Sequence, residues 1–423
     1  MQTAFTPEQM RDPEIAASHG EIRKCVHCGF CTATCPTYVL LGDERDSPRG
    51  RIELIKAMLE DGGAPSPETV KHVDRCLSCL ACKTTCPSGV DYAQLIEHGR
   101  AHIAAHYRRP LREGLIRWAL AHVLTRPRHL RFALAAGRLA RPLEPMLAAL
   151  KLKSLAALLR LTPQKAAPRP HPGVHSAGEA ARGRVILLQG CVEAAMAPSI
   201  RAAAIRLLNR AGFDVVLAKG EGCCGAIPEH LGRMTDARRL AGANLRAWRR
   251  AGPVDAIVTT AAGCGTTLKA YGHRLAGDPD AAAAAGRARD LLEFLSEVGL
   301  PPPMDPPVRT SVAYHAPCSL QHGQGIRTEP AALLAAAGFE VRQVPEGHLC
   351  CGSAGVYNIL EPELAARLRA RKAANLERTG AAVVAAANVG CIAQLAPAVG
   401  APVIHPVELL DWATGGPKPE GLL

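Results

Sequence analysis

The sequence predicts a multidomain chain, with an α-helical N-terminal domain followed by two duplicated α/β domains. Three observations predict it. Two cysteine runs of identical form, Cys25-x2-Cys28-x2-Cys31-x3-Cys35-Pro36 and Cys76-x2-Cys79-x2-Cys82-x3-Cys86-Pro87, stand 51 positions apart. From Arg184 onward, short apolar segments alternate with helical ones, the βαβ rhythm of a parallel or mixed sheet. Within that region Cys191, Cys223, Cys224 and Cys264 recur as Cys318, Cys350, Cys351 and Cys391, each displaced by 127. Four coincident offsets mark an internal duplication. The 423 residues divide accordingly into 1–100, 101–183, 184–305 and 306–423.

The two N-terminal runs carry the bacterial ferredoxin spacing, in which the fourth cysteine of each run serves the other cluster. Two residues between cysteines let one tight loop present three thiolates to three corners of a cubane. The fourth follows three residues later, before a chain-turning proline, and points to the neighbouring site. Cys25, Cys28, Cys31 and Cys86 are therefore expected to hold one [4Fe-4S] cluster, and Cys76, Cys79, Cys82 and Cys35 the other. Zinc sites use separated Cys or Cys/His pairs, which neither run resembles. A disulfide framework belongs to short secreted chains.

Eight of the sixteen cysteines carry cluster duties, and clusters need reduced thiolates, which favours a reducing compartment. The first residues lack the basic and apolar regions of a signal peptide, and the sequence has no apolar run of the roughly 18 residues that span a bilayer. A cytoplasmic location is expected, with peripheral contact at the inner face of the membrane as an extension. Hydrophobic residues make up 48% and aromatics only 4%, so alanine and leucine must carry the packing.

Between the cysteine runs, Ser47-Pro48 opens an amphipathic helix with Ile52, Ile55, Met58 and Leu59 on one face. Its first duty is packing; Arg49 and Arg51 are also placed to offset the charge of a thiolate-ligated cluster. Ahead of the runs, Pro7 to Arg11 can start a helix. The net charge of +12 is concentrated from Arg100 to Lys165, where fourteen Lys or Arg face only Glu113 and Glu144. Helical spacing recurs there over Leu111–Leu124, Leu130–Leu139 and Met146–Leu161, separated by prolines. A neutral body with one basic segment argues against a nucleic-acid binder. The segment reads either as a solvated face or as a dock for an acidic partner or anionic lipid. Thr162 to Gly183, with four prolines and with His171 and His175, reads as a solvated linker.

In the first repeat, strands are expected at Val185–Gly190, Phe213–Ala218 and Val254–Thr260, with helices over 199–211 and 229–251. The second repeats the order, with strands at Ser311–His315, Phe339–Arg342 and Ala381–Ala387 and helices near 329–337 and from 361. Each repeat places a cysteine at a strand end, a Cys-Cys-Gly turn, and a cysteine after the third strand, where open α/β sheets build sites. Four thiols are expected to converge in each repeat, against the alternative of buried structural cysteines.

The tandem ferredoxin motif and two CCG repeats resemble the iron–sulfur electron-transfer subunits related to heterodisulfide reductase, and among them the iron–sulfur subunit family of bacterial glycolate oxidase. The resemblance extends over both motif regions, the basic connector and the ending His405-Pro-Val-Glu-Leu-Leu-Asp411. It implies electron transfer from a separate FAD-containing flavoprotein subunit that oxidises glycolate to glyoxylate, onward to an acceptor such as quinone. Related chains serve lactate utilisation and anaerobic glycerol-3-phosphate oxidation. The heterodisulfide reductase branch ends each set with a C-x-x-C pair that completes a non-cubane cluster. Here Thr267 and Gln394 stand where the second cysteine is expected. A four-thiolate cluster, zinc or a redox dithiol remains open at each CCG site.

The chain has no G-x-G-x-x-G after a strand, no P-loop and no hydrolytic triad. Oxidation of a small hydroxy acid at the hydride level needs an organic cofactor, expected here on the partner subunit and not on this chain. The leading reading is an electron-relay subunit with no catalytic residue of its own. The alternatives are a disulfide or quinone reductase acting at the CCG thiols, and a scaffold whose CCG half only binds partners.

Overall fold

The computed structural model describes residues 1–150, 152, 159, 170–179, 181–304 and 309–422. The N-terminal unit is helical. A 3-10 turn at Gln9–Arg11 stands where a first helix is expected, and α1 (Pro13–Lys24) follows, capped by the Asp12 side chain. The Cys25 run ends in α2 (Phe30–Thr34), and α3 (Pro36–Leu41) begins at its proline. Next comes α4 (Pro48–Asp61), with Ser47 accepting from the Gly50 N–H and Pro48 in the first turn. Its predicted stripe is buried against α5 (Pro67–Asp74) and α7 (Tyr92–His106). Between those two, the Cys76 run ends in α6 (Ala81–Thr85), which packs on α2.

The basic connector is a helical hairpin of α8 (Leu111–Leu124) and α9 (Pro127–Ala140). The first has the predicted limits; the second starts three residues early because Pro127 suits a first turn. A short helix, Glu144–Ala149, begins where the third was expected, and most of that predicted helix lies outside the described residues, as does the start of the linker. The rest of the linker departs from expectation. Gly173–His175 forms β1, an edge strand antiparallel to β3, with His171 exposed and His175 half-buried.

The first repeat contains β2 (Gly183–Leu187), β3 (Phe213–Leu217), β4 (Ala256–Thr259) and β5 (Ala288–Asp290), in the sheet order β1-β3-β2-β4-β5. All pairs but the first are parallel. The helix expected over 229–251 is two helices, Ala226–His230 and Met234–Ala251, broken at Gly232. The second repeat contains β6 (Ser311–His315), β7 (Glu340–Arg342), β8 (Val383–Ala386) and β9 (Val403–Ile404), all parallel in the order β7-β6-β8-β9. Both sheets are covered on two faces, which is why their central strands are continuous apolar runs.

One core joins the repeats. Helices Pro198–Arg210 and Pro406–Ala413 pack together between the sheets, and Leu207, Leu208, Leu295, Leu334 and Leu410 are fully buried in it. Across this junction the buried Asp411 carboxylate accepts from Arg206 and Arg210. The helical unit docks on both repeats. Leu77, Cys79 and Ala81 pack on Cys350, Tyr357, Leu364 and Leu368 of the second. The backbone of α7 meets the first at Gly232, whose φ is +77°. A Cβ there would overlap the carbonyl oxygen of Arg100 and lie 3.0 Å from Ala104 Cβ.

Gly232→Ala should therefore loosen this junction and destabilise the chain by about 1–3 kcal/mol, the usual cost of overpacking. Gly42→Ala, also at positive φ (+68°) but with nothing near its Cβ, is the control for backbone strain alone. Equal thermal unfolding midpoints for the two variants would show that the junction contributes nothing.

Candidate iron–sulfur and thiol centres

Both N-terminal loops use the same backbone device. His27 (φ +55°) and Gly29 (+85°) reverse the first loop, and Ser78 (+49°) and Leu80 (+61°) reverse the second. Left-handed residues between the cysteines curl each loop inward. At Leu80 this costs about 1–2 kcal/mol, because a Cβ crowds the backbone there. Cys25, Cys28, Cys31 and Cys86 line one small pocket, and Cys35, Cys76, Cys79 and Cys82 line a second. Cys82 also reaches the wall of the first. The fourth cysteine of each run thus sits in the pocket of the other run. The pockets differ in exposure: Cys28 is exposed and Cys31 and Cys86 are half-buried, whereas all four thiols of the second pocket are buried. Burial pushes the Cys79 and Cys82 thiols well above their ordinary range, reinforced by neighbouring thiols. Thiolates persist here only against positive charge, and a four-thiolate donor set fits an iron–sulfur cluster.

Protein charge supplies part of that compensation. Arg51 is 1% exposed and donates to the His72 carbonyl (2.6 Å), to Thr37 Oγ1 (3.0 Å) and to Asp46 Oδ1 (3.1 Å). Its other nitrogen lies 3.8 Å from Cys35 Sγ. Asp46 also receives Arg75 at 3.0 Å. Arg100 donates to Ser78 Oγ (2.7 Å) and to the Cys76 carbonyl (2.5 Å), and the Tyr92 hydroxyl lies 3.7 Å from Cys76 Sγ. Near the first pocket, Arg49 holds the His27 carbonyl (3.1 Å) and Glu44 (2.6 Å). Of the two arginines singled out in the sequence, Arg51 touches a thiol and Arg49 steadies the loop.

The CCG cysteines come together as expected and then go further. All eight line a single cavity of about 830 Å³ between the repeats, roofed by α8 and α9. Cys224 and Cys264 are 3.3 Å apart, and Cys351 and Cys391 3.4 Å. Cys318 lies 3.8 Å from Cys350. Thiol contact first and burial second push Cys264 and Cys318 well above their ordinary range. The second CCG site also touches the helical unit, because Cys79 packs in one cluster with Cys350 and Cys318. Thr267 and Gln394, at the positions of the missing cysteines, hydrogen-bond elsewhere: Thr267 to the Gly263 carbonyl (3.2 Å), Gln394 to Asn358 (3.1 Å) and the Ala365 carbonyl (3.2 Å).

The surroundings of the two CCG sites differ, which the cysteine pattern does not reveal. The second has His315, Lys372 and Asn388 close by, where the 127-residue offset gives Leu188, Leu245 and Ala261 in the first. Asn388 Nδ2 is 3.6 Å from Cys391 Sγ, and Lys372 is buried with its ammonium on the Glu346 carbonyl (2.7 Å). Burial, then Lys372, lowers His315 to about 3, so its ring is neutral. The signal in the sequence was a histidine ending the strand before Cys318. The first site instead has carboxyls nearby. Arg274 bridges Glu97 of α7 (2.9 Å) and Glu229. Burial raises Glu229 well above the carboxylate range, while at Glu97 burial is outweighed by Arg274 and a hydrogen bond from Glu229 together, which lower it.

Two four-thiol pockets on helices, one at the surface and one buried, followed by paired thiol-lined α/β units, define an iron–sulfur electron-transfer protein. The comparisons agree. Residues 21–90 match the family described as "4Fe-4S dicluster domain", and 185–269 and 312–396 each match "Cysteine-rich domain" (CCG). The dicluster match and the two thiol pockets imply two [4Fe-4S] clusters. The chain is 40% identical over 418 residues to the glycolate oxidase iron-sulfur subunit of Escherichia coli K12, covering 98% of this chain and 99% of that one. It is 33% identical to the probable glycolate oxidase iron-sulfur subunit of Bacillus subtilis 168, over 89% and 88% of the two chains. It is 25% identical to lactate utilization protein A of the same organism, over 54% of this chain and 99% of that one. The chain belongs to the glycolate oxidase iron–sulfur subunit family.

Arg51→Met should leave Asp46 short of its buried partner, at a cost of about 3–5 kcal/mol. It should also lower the potential of the buried cluster, because a cation near its sulfur is lost. Denaturant unfolding and an anaerobic redox titration check the two effects; an unchanged potential would restrict Arg51 to packing.

Proposed function

We propose that this chain is the electron-transfer subunit of a flavin-dependent glycolate-oxidising complex, with Cys25, Cys28, Cys31 and Cys86 holding one cluster and Cys76, Cys79, Cys82 and Cys35 the other. Clusters of this type supply one-electron chemistry at potentials tuned by hydrogen bonds and exposure. The observation that carries the reading is the order of the sites. The first pocket reaches the surface, beside the exposed Val26 and Phe30. The second is buried, and it abuts the second CCG site, which opens on the cavity. A relay needs an outer site that a partner reaches and inner ones shielded from water. The partner in this reading is the FAD-bearing subunit, since this chain has no dinucleotide-binding motif. The acceptor is a quinone, for which a cavity with an aliphatic roof is chemically suited.

Anaerobic addition of glycolate to the assembled complex should bleach the cluster absorbance. Bleaching by lactate or glycerol 3-phosphate alone would move the chain to the related oxidations. In the same preparation, Cys35→Ser should perturb the signal of the buried cluster; an effect confined to the surface cluster would mean that each run closes on itself. A second reading, disulfide reduction at the CCG thiols, is favoured by the close pairs Cys224–Cys264 and Cys351–Cys391. The bonding of Thr267 and Gln394 weighs against a five-cysteine centre of the heterodisulfide type.

The connector gives this reading a docking face. Leu111, Trp118, Phe132 and Leu139 are 94, 51, 78 and 86% exposed, among exposed Arg108, Arg112, Arg128 and Arg131. Arg109 and Arg117 turn inward to Asp74 and add nothing outside. Apolar rings and guanidinium groups on one surface fit an anionic membrane interface at the cytoplasmic side. Among the described residues, no helix is long and apolar enough to cross a membrane. Reversing Arg128, Arg131 and Arg138 to Glu should release the complex from anionic vesicles with its clusters intact. Unchanged co-sedimentation at every salt concentration would leave the connector a spacer.

A further inference from the structure

The second CCG site contains a donor that its cysteine pattern does not announce. His315 ends β6 and is 2% exposed. A ring nitrogen of His315 and the Sγ atoms of Cys351 and Cys391 all lie within 4.8 Å of one another, and all three residues are buried. Among the described residues, neither Nδ1 nor Nε2 of His315 has a hydrogen-bond partner. A buried imidazole with both nitrogens unpaired is costly unless something else takes a lone pair. Two thiols stand at the right distance to share that role, and bonds of about 2.0–2.3 Å can meet at one ion after small side-chain adjustments.

We propose that His315 is a metal ligand, completing with Cys351 and Cys391 a centre in the second CCG site that the first repeat cannot form in the same way. One imidazole and two thiolates select a thiophilic ion, either zinc or an iron atom of an iron–sulfur centre. The remaining thiols, Cys318 and Cys350, lie on the cavity side, whereas His315 is not part of the cavity wall. The nitrogen therefore approaches from beneath the thiols, within the sheet. It supplies a fifth donor to a repeat whose Gln394 is committed to Asn358 and the Ala365 carbonyl. The first repeat has the same four cysteines, but Leu188 stands at the position matching His315 and offers no lone pair. Lys372, buried with its Nζ on the Glu346 carbonyl, adds a further nitrogen to this side of the site.

The repeat itself supplies a conservative test. Leucine is tolerated at the equivalent strand end, buried at Leu188, so His315→Leu should fold. The full chain is expressed anaerobically with iron and zinc supplied, and its metal content is measured. Wild type should carry metal beyond the roughly eight irons of two four-iron clusters. His315→Leu should lose that additional metal while keeping the N-terminal cluster absorbance, and His315→Cys should regain it. If the metal is iron, pulsed electron paramagnetic resonance of the reduced protein should show nitrogen coupling that His315→Cys abolishes. If it is zinc, X-ray absorption at the zinc edge should show a mixed nitrogen and sulfur shell. A wild-type chain with no metal beyond the N-terminal irons would overturn the proposal. So would a His315→Leu variant with the metal content and spectra of wild type.

Discussion

Anionic sulfur is stable in a protein only where burial, positive charge and hydrogen bonds are arranged together, and the packing of the Leu77–Ala81 loop on the second repeat brings those conditions to the centre of this molecule. The loop sinks Cys79 beneath Leu364 and Leu368, and so makes the second thiol pocket an inner one. The same contact places that pocket against Cys350. Leu80 shows its importance. Glycine occupies the matching place in the exposed first loop, whereas the buried second loop keeps a leucine in a left-handed conformation. The strain, about 1–2 kcal/mol, is comparable with what burying one leucine side chain returns, about 1.5–3 kcal/mol. The buried loop can therefore tolerate a side chain where the exposed loop needs glycine.

The duplication explains the architecture, and divergence within it explains the chemistry. Two α/β units with the same central strand order share a core through helices Pro198–Arg210 and Pro406–Ala413, so their thiol ends face one cavity. The four cysteines of each unit are kept, but the groups behind them are not. The second unit surrounds its thiols with nitrogen: His315, Lys372 and Asn388. The first has carboxyls and a phenol beside its nitrogen: Glu193 accepts from the Thr260 hydroxyl, Tyr271 donates to the Cys224 carbonyl at 2.7 Å, Asn244 donates to the Cys223 carbonyl at 3.0 Å, and Arg274 is held between Glu97 and Glu229. Nitrogen stabilises an anionic centre, whereas buried carboxyls oppose one unless they hold protons. The two sites consequently have different electrostatic characters despite identical cysteine spacing.

Much of this was legible in the sequence. The cysteine offsets of 51 and 127 give the domain plan, because a repeat needs no tertiary information to be seen. Apolar runs located β2, β3, β4, β6 and β8, whose burial on both faces writes a continuous hydrophobic signal. The short edge strand β7 was read through the repeat, but three other edge strands were missed: β1 has three residues, β5 three and β9 two, too few for any period. The break between Ala226–His230 and Met234–Ala251 was also missed. Gly232 is required there by the close approach of α7, a constraint from 132 residues earlier in the chain. His315 was read as the last residue of a strand, and only the fold shows that Cys351 and Cys391 lie beside it. Local sequence encodes which residues can be ligands; long-range packing selects which of them meet.

The connector has two faces of different character. A hairpin with a single apolar stripe would bury it and leave a polar outside. Here the inner faces of α8 and α9 roof the cavity with Ile116, Leu120, Leu130 and Leu134, while Leu111, Trp118, Phe132 and Leu139 stand outside. Packing accounts for the inner set, and solubility disfavours the outer one. The charge is distributed with the same asymmetry, because Arg109 and Arg117 are consumed by Asp74 and Glu113 whereas Arg112, Arg128 and Arg131 point outward. A surface that is apolar and cationic together needs a partner with both apolar and anionic groups, which a lipid interface and an acidic protein face can each supply. The cavity roof and this exposed apolar and cationic surface are two sides of the same pair of helices. In the reading proposed above, one helix layer separates the docking face from the thiols, so a lipophilic acceptor would have only that layer to cross.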